Sequence, residues 1–119
     1  MFGAAPGGRS AEAKRDSIPG ARISTSIMEF EWDPAKAAGN LAKHGVDFDD
    51  AIAVFGDPRA LHVVDPRSYG EARHRAIGTV RGRILLVVYT MRGGQTCRII
   101  GARRASRRER TAYSLQARN

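Results

Sequence analysis

The chain has 119 residues, a formal net charge of +8 and a single cysteine. That length suits one domain with a real but modest core, and a lone Cys97 excludes an internal disulfide and a cysteine-based zinc site. No stretch approaches the roughly 18 consecutive apolar residues of a membrane span, so the expectation is a soluble, cytoplasmic protein with no membrane partner.

Charge is unevenly spread. Residues 29–58 carry seven acids and two lysines, whereas residues 73–119 carry twelve arginines and one acid. An acidic end and a basic end follow, and the basic half calls for an anionic partner, RNA or DNA before an acidic protein.

Residues 1–27 are rich in Gly, Ala, Ser and Arg without a periodic apolar face, and are expected to be a disordered N-terminal extension. The domain is expected to occupy residues 28–119. Residues 29–32 alternate as a short strand. Asp33 as N-cap, Pro34 at the first helical position, Lys43 and His44 in the last turn and Gly45 as left-handed cap define a helix. Asp47 opens a second helix with Phe48, Ala51, Ile52 and Phe55 on its apolar face, and Gly56 and Pro58 end it. The two helices make a hairpin.

From Leu61 the period becomes that of strands: 61–65, 73–80, 83–90 and 96–102, separated by turn-forming residues that include Gly82 and the Gly93–Gly94 pair. Residues 84–88 are apolar on both faces and should form a central strand. Ser106 and Glu109 fit a capping box at the start of a last helix that reaches Tyr113. The expected fold is α+β: an antiparallel sheet of four to five strands with a helical hairpin before it and a C-terminal helix, the helices covering one side.

Several residues could do chemistry, each with a plainer role beside it. His44 can exchange a proton near neutral pH, or it and Lys43 can satisfy the end of their helix. Glu71, Arg73 and Arg75 alternate onto one face, as a structural ion pair or as a base beside phosphate clamps. Arg98 and Arg103 are an odd number of positions apart, so an unbroken strand points them to opposite faces. Arg107 and Arg108 extend the basic run, Glu109 is either a structural cap or a carboxylate that competes with Glu71 for the chemistry, and Tyr113 either donates from its phenol or covers the core. Cys97 reads as a buried small hydrophobe, and Trp32 as core before base-stacking platform. No phosphate loop, nucleophile elbow or metal signature appears. The chemistry open to such a set needs only acids, bases and positive charge, as RNA cleavage by its own 2′-hydroxyl does.

Phe30, Glu31, Trp32, Asp33, Lys36, Asn40, Lys43, His44, Gly45, Val46, Phe48, Ala51, Phe55 and Asp57 resemble the opening pattern of the BrnT family of bacterial toxins. Glu71, Arg73, Ile77, Gly78, Gly82, Tyr89, Thr90, Arg98, Ile99, Ile100, Ala102, Arg103, Ala105, Glu109 and Tyr113 resemble its second half. The resemblance implies a RelE-like fold and a type II ribonuclease toxin without a cofactor. It also implies a BrnA-type antitoxin as partner, in a 2:2 heterotetramer that meets operator DNA only through the antitoxin. One departure is Gly101, where the family usually has serine. On this reading His44, Glu71, Arg73, Arg98 and Arg103 are the catalytic candidates, and Lys43, Arg75, Arg107, Arg108 and Tyr113 contact RNA. The other class of reading is a non-catalytic RNA- or DNA-binding module with the same basic face.

Overall fold

The computed structural model describes residues 21–24, 28–67 and 72–117. Nine elements follow in the order β1 (Ala21–Ser24), β2 (Glu29–Trp32), α1 (Pro34–His44), α2 (Phe48–Val54), β3 (Leu61–Val64), β4 (His74–Val80), β5 (Arg83–Arg92), β6 (Thr96–Arg104) and α3 (Arg107–Ala117). The strands form one six-stranded sheet in the order β1-β2-β6-β5-β4-β3. The class is α+β, as expected, with two corrections to the sheet. It has six strands rather than four to five, because Ala21–Ser24, part of the stretch expected to be disordered, pairs antiparallel with β2. It is also not wholly antiparallel, since β2 runs parallel to β6 through Glu29↔Thr96, Phe30↔Cys97 and Glu31↔Arg98. The two helices carry the chain away from β2 before it returns as β3 on the far side of the sheet. Residues 1–20 and 25–27 of the expected extension lie outside the described residues.

Local signals account for the helix ends. The Asp33 carboxylate accepts from the Ala35 amide at 2.9 Å and Pro34 occupies the first turn. Gly45 closes α1 at φ 68°, with its amide donating to the Leu41 carbonyl; that left-handed geometry suits glycine because a Cβ would clash. Asp47 caps α2 through the Asp49 amide at 2.6 Å. Arg81 and Gly82, both at positive φ, make the tight β4–β5 hairpin, whose twist such a pair of residues matches.

The core divides across the sheet. Phe30, Phe48, Val54, Leu85, Val87, Cys97 and Ile99 pack on the first face, which α2 covers. Ile77, Leu86 and Ala105 form a smaller cluster on the second face, joined by Leu61, Ile84, Val88 and Tyr113. The expectation of helices on one side is therefore corrected: α3 covers the second face. It covers only part of it, around the Ile84–Leu86 end. β5 is the interior strand expected from 84–88, and Cys97 is buried with its thiol pushed up to about 12 by burial, which makes it inert rather than nucleophilic.

Candidate nucleic-acid interface

Strand register assembles the basic residues. On β5, Leu86, Val88 and Thr90 point to the second face, and directly paired residues share a face. Thr90 pairs with Arg98, which pairs in turn with Glu31. Carrying the β4–β5 register one residue past His74↔Tyr89 sets Arg73 opposite Thr90. One row thus runs Thr90, Arg98, Glu31 across three strands, with Arg73 in line with it just before β4. The next row is Arg75, Val88, Gly101, and the third is Ile77, Leu86, Arg103. Four arginines surround a floor of Thr90, Val88 and Gly101, with Arg73 and Arg98 about 10 Å apart at their Cα atoms, two strand spacings.

Arg98 and Arg103 share this face because the strand is not regular. Val88 pairs with Gly101 and Tyr89 with Ile99, so Ile100 is an extra residue in β6. A bulge of this kind inserts one position and shifts the alternation by one. It returns Arg103 to the side of Arg98, and the sequence-based expectation of opposite faces is corrected.

Arg98, Arg103 and Arg75 each have a carboxylate near them. Arg98 Nη1 lies 3.1 Å from Glu31 Oε2. Arg103 makes two parallel bonds to Glu109, Nη1 to Oε1 at 2.8 Å and Nη2 to Oε2 at 2.9 Å. Asp65, buried at the end of β3, is held below the usual carboxylate range by the Arg67 amide, which outweighs burial, with the Arg75 and Arg67 guanidiniums adding to it. The Nε of Arg75 is buried and has no hydrogen-bond partner among the described residues. Thr90 is buried, and its hydroxyl donates to the Ala72 carbonyl at 2.8 Å, fixing the backbone immediately before Arg73.

The capping box is formed: the Ser106 amide donates to Glu109 Oε1 at 2.8 Å and the Glu109 amide to Ser106 Oγ at 3.2 Å. Glu109 is held down to about 2, first by its bonds from Arg103 and, against burial, by the Ser106 amide. It is a permanent anion at neutral pH and not a proton shuttle. Tyr113 is also engaged. Its hydroxyl donates to Asp57 Oδ2 at 2.6 Å and accepts from Thr79 Oγ1 at 3.1 Å, and the Asp57 carboxylate pushes the phenol above its ordinary value. The Thr79 amide donates to the same Asp57 oxygen at 3.0 Å. This network ties α3 to β4, so Tyr113 anchors α3 on the sheet.

The other sequence candidates fall elsewhere. Lys43 and His44 are exposed at the end of α1, the helix that lies beside β6 and holds it through Asn40. Both stand in the last turn of that helix, where a basic side chain suits the helix end. Arg107 and Arg108 are exposed in the first turn of α3, extending the basic surface from Arg103 and Arg104. Glu71 lies outside the described residues. Trp32 packs edge-on against Phe48 at 6.3 Å between ring centres.

Asn40 was missed as a structural residue. Its Nδ2 donates to the Ala102 carbonyl at 2.8 Å and the Val46 carbonyl at 2.9 Å, while its Oδ1 accepts from the Ala102 amide at 3.1 Å. β2 ends its pairing at Arg98, and Asn40 takes over as a surrogate strand for β6 beyond that point. Nothing in a helix-face pattern signals such a bond. A Cβ at Gly101 would stand 3.6 Å from Asn40 Oδ1, an ordinary contact, so the serine usual in the family at this position would fit.

Comparison with known proteins decides the family. Residues 32–109 match the family described as ribonuclease toxin, BrnT, of type II toxin-antitoxin system. The chain belongs to the BrnT family. It is similar to the crystal structure of the Brucella abortus ribonuclease toxin BrnT, with 35% identity and a TM-score of 0.50 over 64% of this chain and 94% of that one. No curated protein matches. BrnT membership brings a ribonuclease toxin's class and an antitoxin partner. Every arginine of the ring lies inside the matched span, and β1 lies before it.

Proposed function

We propose that the chain cuts RNA without a metal, using the 2′-hydroxyl of the substrate as nucleophile and the ring of Arg73, Arg75, Arg98 and Arg103 to meet the charge of the phosphorane. The observation that carries this reading is the register that sets Arg75, Arg98 and Arg103 on one face of the sheet around Val88, Thr90 and Gly101, with Arg73 next in line before β4. As the 2′-oxygen bonds to phosphorus, its proton passes to a base, the P–O5′ bond breaks, and the leaving oxygen takes a proton from water. The sequence offers two bases, His44 and Glu71. Glu71, two residues before Arg73 in the chain, is the proposed base. Lys43 has no place in this scheme, and Arg107 and Arg108 hold flanking phosphates.

The same reading makes the fold RelE-like and the setting cytoplasmic. A BrnA-type antitoxin neutralises the toxin in a 2:2 heterotetramer by covering the arginine ring, and reaches operator DNA on its behalf. Purified protein should cleave RNA in EDTA and leave a 2′,3′-cyclic or 3′-phosphate, because attack by the 2′-hydroxyl ends on the same ribose. DNA should bind without being cut. Products ending in a 3′-hydroxyl would contradict the mechanism, and binding without cleavage of any RNA would leave the non-catalytic module as the answer. Salt dependence alone does not separate the two, since both neutralise phosphates.

We further propose that residues 28–119 are the toxin domain. A chain beginning at Met28 should retain RNA cleavage, with a lower melting temperature because β1 leaves the β2 edge unpaired. Loss of activity in a folded truncated protein would place residues 1–27 in the site.

A further inference from the structure

We infer that Glu109, besides capping α3, is a positioning residue that holds the Arg103 guanidinium in register with the arginine ring; this rests on the ring being the cleavage site. Arg103 sits at the end of β6, past the bulge, with 39% of its side chain exposed, whereas Glu109 is only 17% exposed. An arginine so placed would sample many rotamers in water. The two parallel bonds of 2.8 and 2.9 Å fix the plane of its guanidinium as well as its position, a constraint that planar fork geometry makes possible and a single contact does not. A further bond from Arg103 Nη1 to the Arg104 carbonyl at 3.1 Å completes the hold. Glu109 is itself fixed from behind, because its Oε1 also accepts from the Ser106 amide at 2.8 Å. Backbone, carboxylate and guanidinium therefore form a chain of contacts from the rigid first turn of α3 to the edge of the open floor. The Arg103 edge bonded to Glu109 is occupied, so phosphate meets the remaining N–H groups of a guanidinium already oriented. Orientation fixed before substrate arrives contributes to turnover more than to binding.

Three substitutions in the full chain separate this role from simple capping. Glu109→Gln keeps an acceptor for the Ser106 amide and removes the charge and one acceptor from the fork. Ser106→Ala weakens the cap and leaves the Arg103–Glu109 pair. Arg103→Lys keeps the charge and loses the fork. Single-turnover cleavage of a defined RNA oligonucleotide should fall about tenfold or more in Glu109→Gln and in Arg103→Lys, with KM changed less than about threefold, and stay near wild type in Ser106→Ala. Combining Glu109→Gln with Arg103→Ala should be no slower than Arg103→Ala alone, the non-additivity expected of residues that act as one unit. Wild-type turnover in Glu109→Gln, or multiplicative losses in the double variant, would overturn the inference while leaving the ring intact as the site. A parallel loss in Ser106→Ala would also overturn it, in favour of helix capping alone. Should Glu109→Gln fail to fold by circular dichroism, Arg103→Lys carries the test by itself. Full activity in Arg103→Ala would remove the ring reading on which the inference stands.

Discussion

Arg73→Ala should lower turnover on RNA by roughly a hundredfold or more while leaving the protein folded. Arg73 is proposed to face the floor opposite Arg98, with Thr90 between them, so the two guanidiniums approach a bound phosphate from two sides. A preorganised donor aimed at charge that develops in the transition state contributes about 2.7–4 kcal/mol in comparable sites, which is 10²–10³ in rate. An arginine that only holds the backbone of the RNA acts on ground and transition states alike. Removing it raises KM and leaves turnover unchanged. Cleavage kinetics at saturating RNA read the difference directly, and an unchanged turnover with weakened binding would demote Arg73 to a phosphate clamp. Arg107→Ala is the natural comparison, since that exposed residue on α3 is expected to alter affinity and its salt dependence with little effect on turnover.

Much of this site was legible before the fold was known, and the failures have physical causes. Short-range signals were dependable: Asp33, Pro34 and Gly45 bound α1, Asp47 begins α2, and Ser106 with Glu109 begins α3, because each acts on backbone groups within a few residues. Alternation failed across β6. A bulge is one unpaired residue, and nothing in Cys97-Arg98-Ile99-Ile100-Gly101 distinguishes it from continuous strand. The parallel pairing of β2 with β6 was equally hidden, since it depends on where a helical hairpin lets the chain return and not on the composition of either strand.

Charge showed a partial picture for a related reason. The run from Arg98 to Arg110 suggested bare positive charge, yet Arg98 and Arg103 each face a carboxylate at about 3 Å. Glu31 comes from a strand more than sixty residues earlier, so sequence proximity gave no sign of it. The ring is accordingly less positive at rest than its arginine count suggests, and what it offers RNA is orientation as much as charge.

Asn40→Ala should be among the most destabilising single substitutions outside the apolar core. The change removes three hydrogen bonds at once and strands the Ala102 amide and carbonyl, on a buried residue, without a strand to pair with. Net losses of about 0.5–1.5 kcal/mol per bond, together with the cost of buried unsatisfied groups, give roughly 2–4 kcal/mol, or about 10 °C or more in melting temperature for a domain of this size. Asn40→Asp sharpens the test. An ionised carboxylate still accepts from the Ala102 amide but presents negative oxygen to two carbonyls that need a donor, so it should be no better than alanine at neutral pH. Protonation restores one O–H donor, and the folded-state pKa of that aspartic acid would be raised. A raised carboxyl pKa means that the folded state holds its proton more tightly than the unfolded one, so the variant should recover relative to wild type as pH falls through that raised value. The consequence reaches the site because Ala102 follows Gly101 and precedes Arg103. Asn40 holds the stretch in which the bulge resets the face of β6, and loosening it should cost cleavage at temperatures where the protein is still folded. A melting temperature within about 2 °C of wild type, or an Asp variant with no gain at low pH, would show that the bulge stands without its support from α1.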